Sequence, residues 1–347
     1  MQAQFFPYRL VFKRPAGTSR GTLHVKDTYF LVLRRGRKHG VGECALFRGL
    51  SADDRPSYET FLKQTVDHIN RGEPLEALRL DKWPSIRFGL ETALASLEGS
   101  RPDVLYPSRF TEGKDGIPIN GLIWMGDKTF MLRQIDEKIR LGFRVIKLKI
   151  GALDFAAELE ILAYIRRHFP AGELEIRVDA NGAFHPAEAL EKLKRLSDYH
   201  IHSIEQPIRP RQWESLAALT RETPIPIALD EELIGLFAED EKRDLMETVR
   251  PQYLIFKPSL LGGFSATDRW IALAEQYGAG WWITSALESN VGLNAIAQYT
   301  YSKQVSIPQG LGTGGLFTNN FPSPLYLDGD RLYFDPSKQL KIPFSGS

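Results

Sequence analysis

Cysteine is almost absent from this sequence, since Cys44 is the single example among 347 residues. An intrachain disulfide is therefore excluded, and a reducing compartment is expected. No run of about 18 apolar residues is present that could span a bilayer. The segment Met1–Pro7 also lacks the charged region and the apolar core of a signal peptide. We therefore expect a cytoplasmic protein that has no membrane partner.

An excess of charge of either sign is also missing. The chain has 44 basic and 43 acidic residues, which gives a formal net charge of +1. Nucleic acid is therefore not expected as a partner. The contents of 43% hydrophobic and 25% charged residues are ordinary for a globular protein. The length allows one large domain with an attachment, or two domains.

The first hundred residues are predicted to form a small α+β domain, because strand patterns precede helical patterns without alternating with them. The predicted strands are Phe5–Phe12, Thr22–Lys26 and Tyr29–Arg35, and the predicted helices run over 56–70 and around 86–97. The polar stretch 14–21 is either a plain hairpin loop or a mobile loop that covers a substrate. A second loop, Cys44 to Ser51, carries Phe47 and Arg48.

From Ile117 the pattern changes to a regular alternation of strands and helices. Eight strands with seven intervening helices, at spacings of about 25–30 residues, predict a (β/α) barrel. The predicted strands are 117–124, 144–150, 174–179, 201–205, 225–230, 252–257, 280–285 and 305–310. The predicted helices are 128–141, 155–169, 186–199, 211–221, 238–249, 265–277 and 291–302. The remaining tail has a hairpin-like segment at Leu325–Phe334, which we expect to return toward the first domain.

Carboxylates follow three consecutive strands of the predicted barrel. Asp179, Glu205 and Asp230 are separated by 26 and 25 residues (205 − 179 and 230 − 205), which is one strand-plus-helix unit each. They should therefore lie side by side at the rim, with Asn181 on the same face as Asp179. Three converging negative charges are tolerable if a divalent cation lies between them. Oxygen ligands without His or Cys favour Mg²⁺ first and Mn²⁺ second.

Three lysines belong to the same predicted rim. Lys147 and Lys149 are two residues apart on an otherwise apolar strand, so both should point into the barrel, and Lys257 ends a strand on the opposite side. Two adjacent ammonium groups disfavour each other's charge, which suits one of them to act as a general base. A cation between lysine-bearing walls is typical of proton abstraction next to a carboxylate. A Schiff-base lysine would leave the carboxylates unexplained, and a catalytically inactive barrel that acts as a binding protein is a further alternative.

The order of these motifs resembles the enolase superfamily, in its muconate lactonizing enzyme-like branch. Lys-x-Lys, Asp-x-Asn, Glu-Gln-Pro, Asp-Glu and Lys-Pro follow one another on successive strands. The resemblance implies a (β/α)7β TIM-type barrel over 101–310, with an N-terminal α+β capping domain over 1–100 that a tail of 311–347 completes. It implies that Asp179, Glu205 and Asp230 bind the metal. It also implies that Lys149 is the catalytic base, Lys147 its positioning neighbour and Lys257 the lysine on the other face.

Two further segments are similar to those of o-succinylbenzoate synthases, namely Ser285–Leu293 and Gly310–Asn320. Dipeptide epimerases of this branch carry Asp-x-Asp on the eighth strand, where this chain has Gly312-Thr313-Gly314. The resemblance therefore implies the syn dehydration of a cyclohexadiene carboxylate in menaquinone biosynthesis. N-acylamino acid racemase or dipeptide epimerase activity is the alternative.

The resemblance also implies a small carboxylate substrate beneath capping loops at 16–21 and 46–51. The residues predicted to contact it are Asn181, Ser285, Glu288, Ser289, Arg20 and Arg48. The two arginines are candidates for a substrate carboxylate, and ordinary surface arginines are the alternative. The sequence allows a monomer or a homo-oligomer.

Overall fold

A three-stranded antiparallel sheet and two helices form the N-terminal region. The structure, a computed structural model, describes residues 1–18 and 21–342. The elements are β1 (Gln2–Thr18), β2 (Gly21–Arg35), β3 (Lys38–Cys44), α1 (Tyr58–Asn70) and α2 (Pro84–Glu98). Helix α2 packs so closely on β3 that a Cβ atom on Gly42 would lie 1.9 Å from the carbonyl oxygen of Gly89. Glycine is therefore required at position 42 for this packing.

Strands β1 and β2 form a longer hairpin than the sequence predicts. The predicted loop 14–21 is wrong over most of its length, because Ala16 pairs with Leu23 and Gly17 with Thr22. The register shifts between Val11 and Ala16, where Pro15 has no N–H to give to a ladder. Pairing with β2 therefore extends β1 beyond the point at which its sequence pattern ends.

The following region is a curled parallel sheet covered by helices. Its seven described strands are β5 (Gly121–Ile123), β6 (Val145–Lys149), β7 (Glu175–Asp179), β8 (Ile201–Glu205), β9 (Ile227–Leu229), β10 (Tyr253–Phe256) and β11 (Gly280–Ile283), hydrogen-bonded in sequence order. The helices between and after them are α3 (Lys128–Arg140), α4 (Phe155–His168), α5 (Pro186–Ser197), α6 (Trp213–Glu222), α7 (Glu239–Val249), α8 (Pro258–Leu261), α9 (Gly263–Gln276) and α10 (Asn290–Ser302). This arrangement confirms the predicted barrel architecture.

Local signals fix where two of these helices begin. The Asp154 side chain accepts a hydrogen bond from the Ala156 amide at 3.0 Å, so it caps α4. Pro186 is the first residue of α5, where a missing N–H costs nothing. The first residues of α4 and α5, the helices that follow β6 and β7, are therefore determined by short-range sequence signals.

The first and last predicted barrel strands differ from the prediction. The segment 117–124 splits into β4 (Ile117–Pro118), which pairs with the tail, and β5, which pairs with β6. The predicted strand 305–310 is not a strand, since it makes only isolated bridges from Gln309 to Ile119 and from Gly310 to Thr284. Pro308 can donate no ladder hydrogen bond, which limits pairing there. These bridges nevertheless connect the two edges of the sheet.

The C-terminal tail contacts both regions. Its hairpin, β12 (Leu325–Asp328) and β13 (Arg331–Phe334), pairs with β4. The preceding segment pairs with β1, because the Lys13 amide donates to the Leu316 carbonyl at 2.9 Å and the Thr318 amide donates to the Val11 carbonyl at 2.9 Å. Within the described ranges, every helix is too short or too polar to cross a membrane.

Candidate active site

Three buried carboxylates lie at the carboxyl ends of neighbouring strands. Asp179 and Glu205 are the last residues of β7 and β8 and are directly paired in register, and Asp230 follows β9. Each of these residues is at most 2% exposed, although carboxylates are normally solvated. The one-unit spacing seen in the sequence has therefore brought the three groups together, as parallel strands require.

Two lysines from β6 contact these carboxylates. The Lys147 ammonium lies 3.0 Å from Asp179 Oδ2 and also donates to Glu205 Oε2. The Lys149 ammonium donates to Asp179 Oδ2 at 2.8 Å and to Asn181 Oδ1 at 2.7 Å. Both side chains point into the barrel, as their two-residue separation predicts.

The third lysine reaches the same rim from the opposite wall. Lys257 follows β10, four strands away from β6, and its ammonium donates to Asp230 Oδ2. Lys257 and Lys149 therefore face the same space from two sides. A substrate carbon held between them is accessible to a nitrogen on either face.

Two carboxylates and two lysines of this site have shifted pKa values. Burial would raise the pKa of Asp179, but the cations of Lys147 and Lys149 outweigh burial and lower it. Burial and the neighbouring Asp179 charge raise the pKa of Glu205. Burial would lower the pKa of Lys147 and Lys257, but the nearby carboxylates raise both. The surroundings therefore stabilise the charge of Asp179 and disfavour the charge of Glu205.

The donor set of the mouth suits a hard divalent cation. Asp179, Glu205 and Asp230 supply only oxygen, and Glu205 Oε1 has no hydrogen-bond partner among the described residues. Counting Glu231, four buried carboxylates lie beside three lysines here. Across the described ranges, no three acidic, histidine or cysteine side chains converge on one point in a ready metal geometry. The Lys147 ammonium contacts both Asp179 and Glu205, and the Lys257 ammonium donates to Asp230. These ammonium groups therefore bind the carboxylate oxygens that a metal ion would bind.

A cavity of about 80 Å³ lies over these lysines. Its floor is formed by Lys147, Lys149, Asn181 and Lys257. The covering residues come from the capping domain and from the ends of other strands, and they are Phe47, Leu50, Asn120, Leu122, Trp124, Thr284, Ser285, Ala286, Leu287, Gly310, Gly312 and Thr313. Apolar walls above a few polar groups are typical of small-molecule sites.

Of the predicted substrate contacts after β11, Ser285 lines the cavity but Glu288 and Ser289 do not. Glu288 is fully buried and accepts hydrogen bonds from Ser285 Oγ at 2.7 Å and from the Ala286 amide at 2.8 Å. Ser289 caps α10 and donates to Glu43 Oε2 at 2.6 Å. The structure therefore gives both residues a role in holding the loop, because their polar atoms are already bonded within the protein.

The predicted contact Arg48 is not brought to the cavity either. Arg48 points away from it and donates to Asp54 Oδ1 at 2.7 Å, while its neighbours Phe47 and Leu50 do line the cavity. The 46–51 loop thus reaches the site through its apolar residues. Arg20 lies outside the described residues.

Several residues of the site were not predicted from the sequence. Gln206 accepts hydrogen bonds from the amides of Asp230 and Glu232, at 3.3 and 3.1 Å, and so ties β8 to the end of β9. Glu231 accepts from Asn181 Nδ2 at 3.0 Å. The Glu-Gln-Pro and Asp-Glu-Glu runs mark both positions, but only the folded geometry shows what these residues contact.

Three residues other than glycine adopt left-handed backbone at this rim. Their φ angles are 44° at Asn181, 39° at Gln206 and 62° at Leu287. For an apolar residue such as Leu287 this conformation costs on the order of 1–3 kcal/mol. Its amide donates to Ser285 Oγ at 3.0 Å, which helps to hold the turn that places Leu287 against the cavity. No sequence pattern predicts a left-handed leucine.

Comparisons with known proteins agree with this geometry. The model of the family described as "Enolase C-terminal domain-like" matches residues 131–311. An o-succinylbenzoate synthase from Desulfotalea psychrophila is 48% identical over 93% of this chain and 96% of the relative. The crystal structure of MenC from Desulfotalea psychrophila LSv54 superposes with a TM-score of 0.88, at 43% identity, covering 96% of this chain and 99% of that one.

A more distant solved structure shares the fold. It is the o-succinylbenzoate synthase from Thermosynechococcus elongatus BP-1 complexed with Mg in its active site, at 23% identity and a TM-score of 0.75, covering 92% of this chain and 96% of that one. At 23% identity this similarity shows the fold alone, which is a barrel with a capping domain. The family match over more than half of the chain, together with the 48% identical relative, shows that this chain belongs to the enolase superfamily.

Proposed function

We propose that this protein is an o-succinylbenzoate synthase. It would dehydrate 2-succinyl-6-hydroxy-2,4-cyclohexadiene-1-carboxylate to o-succinylbenzoate, a step of menaquinone biosynthesis. The observation that carries the proposal is the pair of lysines facing one small cavity from opposite walls, with Asp179, Glu205 and Asp230 beneath them. The 48% identity to an o-succinylbenzoate synthase over nearly the whole chain supports this choice within the superfamily.

In this proposal Lys149 is the base. Its Nζ would take the proton from the carbon next to the substrate carboxylate and could return that proton to the departing hydroxyl on the same face. Asn181 and Asp179, at 2.7 and 2.8 Å from Nζ, aim the lysine at the cavity. Aromatisation makes the reaction downhill, so the protein needs chiefly to position the proton acceptor and to exclude water.

Lys147 and Lys257 would act without taking the proton. Lys147 forms an ion pair with Asp179 and donates a hydrogen bond to Glu205, and so fixes the carboxylates next to the base. Lys257 would place a cation over the other face of the ring. Asp179, Glu205 and Asp230 would hold Mg²⁺, or alternatively Mn²⁺. When bound, such an ion supplies positive charge that polarises the substrate carboxylate.

Racemisation of N-acylamino acids is the second candidate, because it needs a proton-carrying group on each face and the cavity has one on each. Dipeptide epimerisation is less well supported. Thr313 occupies the middle of the segment 312–314, and its hydroxyl donates to Ser285 Oγ at 2.9 Å. A substrate ammonium group would find no acid in this segment.

The test is an assay of the purified protein with the cyclohexadiene substrate and, in parallel, with N-succinyl amino acids and L-Ala-L-Glu. We expect rapid dehydration with Mg²⁺, loss of activity in excess chelator and recovery with Mg²⁺ or Mn²⁺. Glu205→Gln should lose activity and metal affinity, whereas Glu214→Gln, at an exposed position of α6, should behave as wild type. Full activity in excess chelator would contradict the metal assignment. Rapid deuterium exchange of the dipeptide would contradict the choice of reaction.

The near-neutral net charge and the single cysteine support a cytoplasmic protein that acts on a small carboxylate, without nucleic acid or membrane. We propose this location and partner from the sequence composition. The division into a capping domain of 1–100, a barrel of 101–310 and a tail of 311–347 is proposed on the same basis. Limited proteolysis tests the domain division.

A further inference from the structure

A second cavity adjoins the one over the catalytic lysines. We refer to the cavity of about 80 Å³ as the inner chamber and to its neighbour, of about 300 Å³, as the outer chamber. Ligand pockets in proteins usually measure about 300–1,000 Å³. The inner chamber alone therefore falls below this range, and the two chambers together reach it.

The wall between the chambers is shared and well fixed. Asn120, Leu122 and Trp124 line both chambers, as do Gly312 and Thr313. The side chain of Gln134 accepts from the Trp124 amide and donates to the Trp124 carbonyl, both at 2.9 Å. The two chambers therefore adjoin along β5, and Trp124, which follows this strand, is held in place by Gln134 of α3.

The lining of the outer chamber combines apolar surface with positive charge. Phe12 and Phe130 contribute apolar surface, Lys13, Arg14 and Lys138 contribute positive charge, and Glu137 contributes one negative charge. Lys13 and Arg14 lie on β1 and are exposed, and neither forms an ion pair with a described residue. The Lys138 ammonium lies 5.2 Å from the centre of the Phe143 ring. Three cations to one acid give this chamber a net attraction for an anion.

We propose that the two chambers form one substrate site, in which the outer chamber takes a short carbon chain that ends in a carboxylate and Lys13 and Arg14 bind that carboxylate. The inference rests on the proposed function, because the substrate would then carry one carboxylate at the ring and a second at the end of its succinyl chain. The ring carboxylate lies over the lysines of the inner chamber. The succinyl methylenes pass Leu122 and Trp124, and their apolar surface packs against the outer chamber. Specificity for the acidic chain is then provided by the β1–β2 hairpin.

The test measures binding of the stable product, o-succinylbenzoate, by titration calorimetry in the presence of Mg²⁺. The probes are o-succinylbenzoate and its methyl ester at the succinyl carboxylate, which keeps the ring carboxylate and removes the distal charge. The variant is Lys13→Gln combined with Arg14→Gln. The matched control is Arg37→Gln combined with Lys63→Gln, which removes the same two charges at exposed positions of the capping domain that line neither chamber.

We expect the Kd of the diacid to rise about tenfold in the Lys13/Arg14 variant, since each exposed ion pair contributes modestly. The Kd of the ester should stay unchanged in this variant, and both ligands should bind the control as they bind the wild type. An unchanged preference for the diacid in the Lys13/Arg14 variant would overturn the inference, and so would an equal loss in the control.

The binding titrations and the dehydration assay together separate this inference from the proposed reaction. If the wild type dehydrates the substrate but the variant binds the diacid as the wild type does, the outer-chamber assignment is wrong and the proposed reaction stands. If product binding depends on Lys13 and Arg14 but the protein does not dehydrate the substrate, the proposed reaction is wrong. The outer chamber then stands as a site for a dicarboxylate. A wild type that binds neither probe overturns both.

Discussion

Two groups of buried carboxylates in this molecule are stabilised in opposite ways. At the barrel mouth, Asp179, Glu205 and Asp230 are bonded to lysine ammonium groups. At the junction with the capping domain and in the loop after β11, Glu43 and Glu288 are bonded to hydroxyls and backbone amides. Neither forms an ion pair with any residue that the structure describes. Both groups are nearly or fully excluded from water.

The difference shows what each region can do. Glu43 accepts from Thr28 Oγ1, the Ser289 amide and hydroxyl, and the Gly292 amide, at 2.6–3.0 Å, so its charge is satisfied by fixed dipoles. At the barrel mouth the carboxylates instead form ion pairs with lysines, and Glu205 Oε1 has no hydrogen-bond partner among the described residues. Lysines can exchange protons and change position, whereas backbone amides cannot. The junction is therefore suited to stability and the mouth to chemistry.

The largest effect that tests this contrast is expected at the mouth. Lys149→Ala removes the proposed base, and no other lysine on β6 contacts Asn181. We expect the dehydration kcat to fall by about 10³-fold or more, with the unfolding midpoint changed little. The measurement is steady-state kinetics with denaturant unfolding of the same preparation. Substantial residual activity in Lys149→Ala would move the base to Lys257.

At the junction, Glu43→Ala is expected to destabilise the fold instead. The amides of Ser289 and Gly292 and the hydroxyl of Thr28 would lose a buried acceptor, which should lower the free energy of unfolding by about 2–4 kcal/mol. Denaturant unfolding measures this loss. Glu43→Gln retains one acceptor oxygen and should lose about half as much. A loss below about 0.5 kcal/mol in the alanine variant would mean that fixed dipoles do not hold this carboxylate as described.

Asp53 provides a test of pH dependence within the capping domain. Burial raises the pKa of Asp53 to about 6, although hydrogen bonds from Ser85 oppose this rise. The folded protein therefore binds this proton more tightly than the unfolded chain does. The stability from this group is therefore complete below about pH 4 and is lost as pH rises through about 6. Relative to Asp53→Asn, we expect wild type to lose on the order of 1–3 kcal/mol between pH 4 and 7.

The neighbouring Asp54 is a matched control with the opposite sign. Partial burial would raise its pKa, but hydrogen bonds from the Gly49 amide and Arg48 lower it. Its contribution is present at neutral pH and is lost on acidification. Chemical denaturation of Asp53→Asn and Asp54→Asn across this pH range should therefore give slopes of opposite sign relative to wild type. Parallel slopes would show that the burial of Asp53 is not the cause.

The smallest effect is expected from Lys257→Arg. Arginine keeps a cation beside Asp230 but carries protons poorly, because its guanidinium group is not deprotonated in proteins. Dehydration, which needs proton chemistry on one face, should fall only about tenfold. Any racemisation of N-succinyl amino acids, which needs both faces, should be lost, and proton exchange followed by NMR measures both activities. Retained racemisation would show that Lys257 does not carry the second proton.

Much of the site was determined by the sequence alone. The repeat of one strand and one helix placed Asp179, Glu205 and Asp230 at adjacent strand ends, and the alternation of side chains along β6 placed Lys147 and Lys149 on the inner face. Short-range signals, such as the cap at Asp154, also determined where helices begin. These features depend on residues close in the chain, so a sequence pattern can express them.

Only the tertiary structure decided how the capping loops and the tail complete the site. Phe47 faces the cavity while its neighbour Arg48 turns to Asp54, and Ser289 is bonded to Glu43, which is 246 residues away in the chain. The segment predicted as a strand at 305–310 forms only isolated bridges, to Ile119 and to Thr284. Contacts between distant segments depend on how whole elements pack, and the free energy of that packing is not expressed in any local pattern of residues.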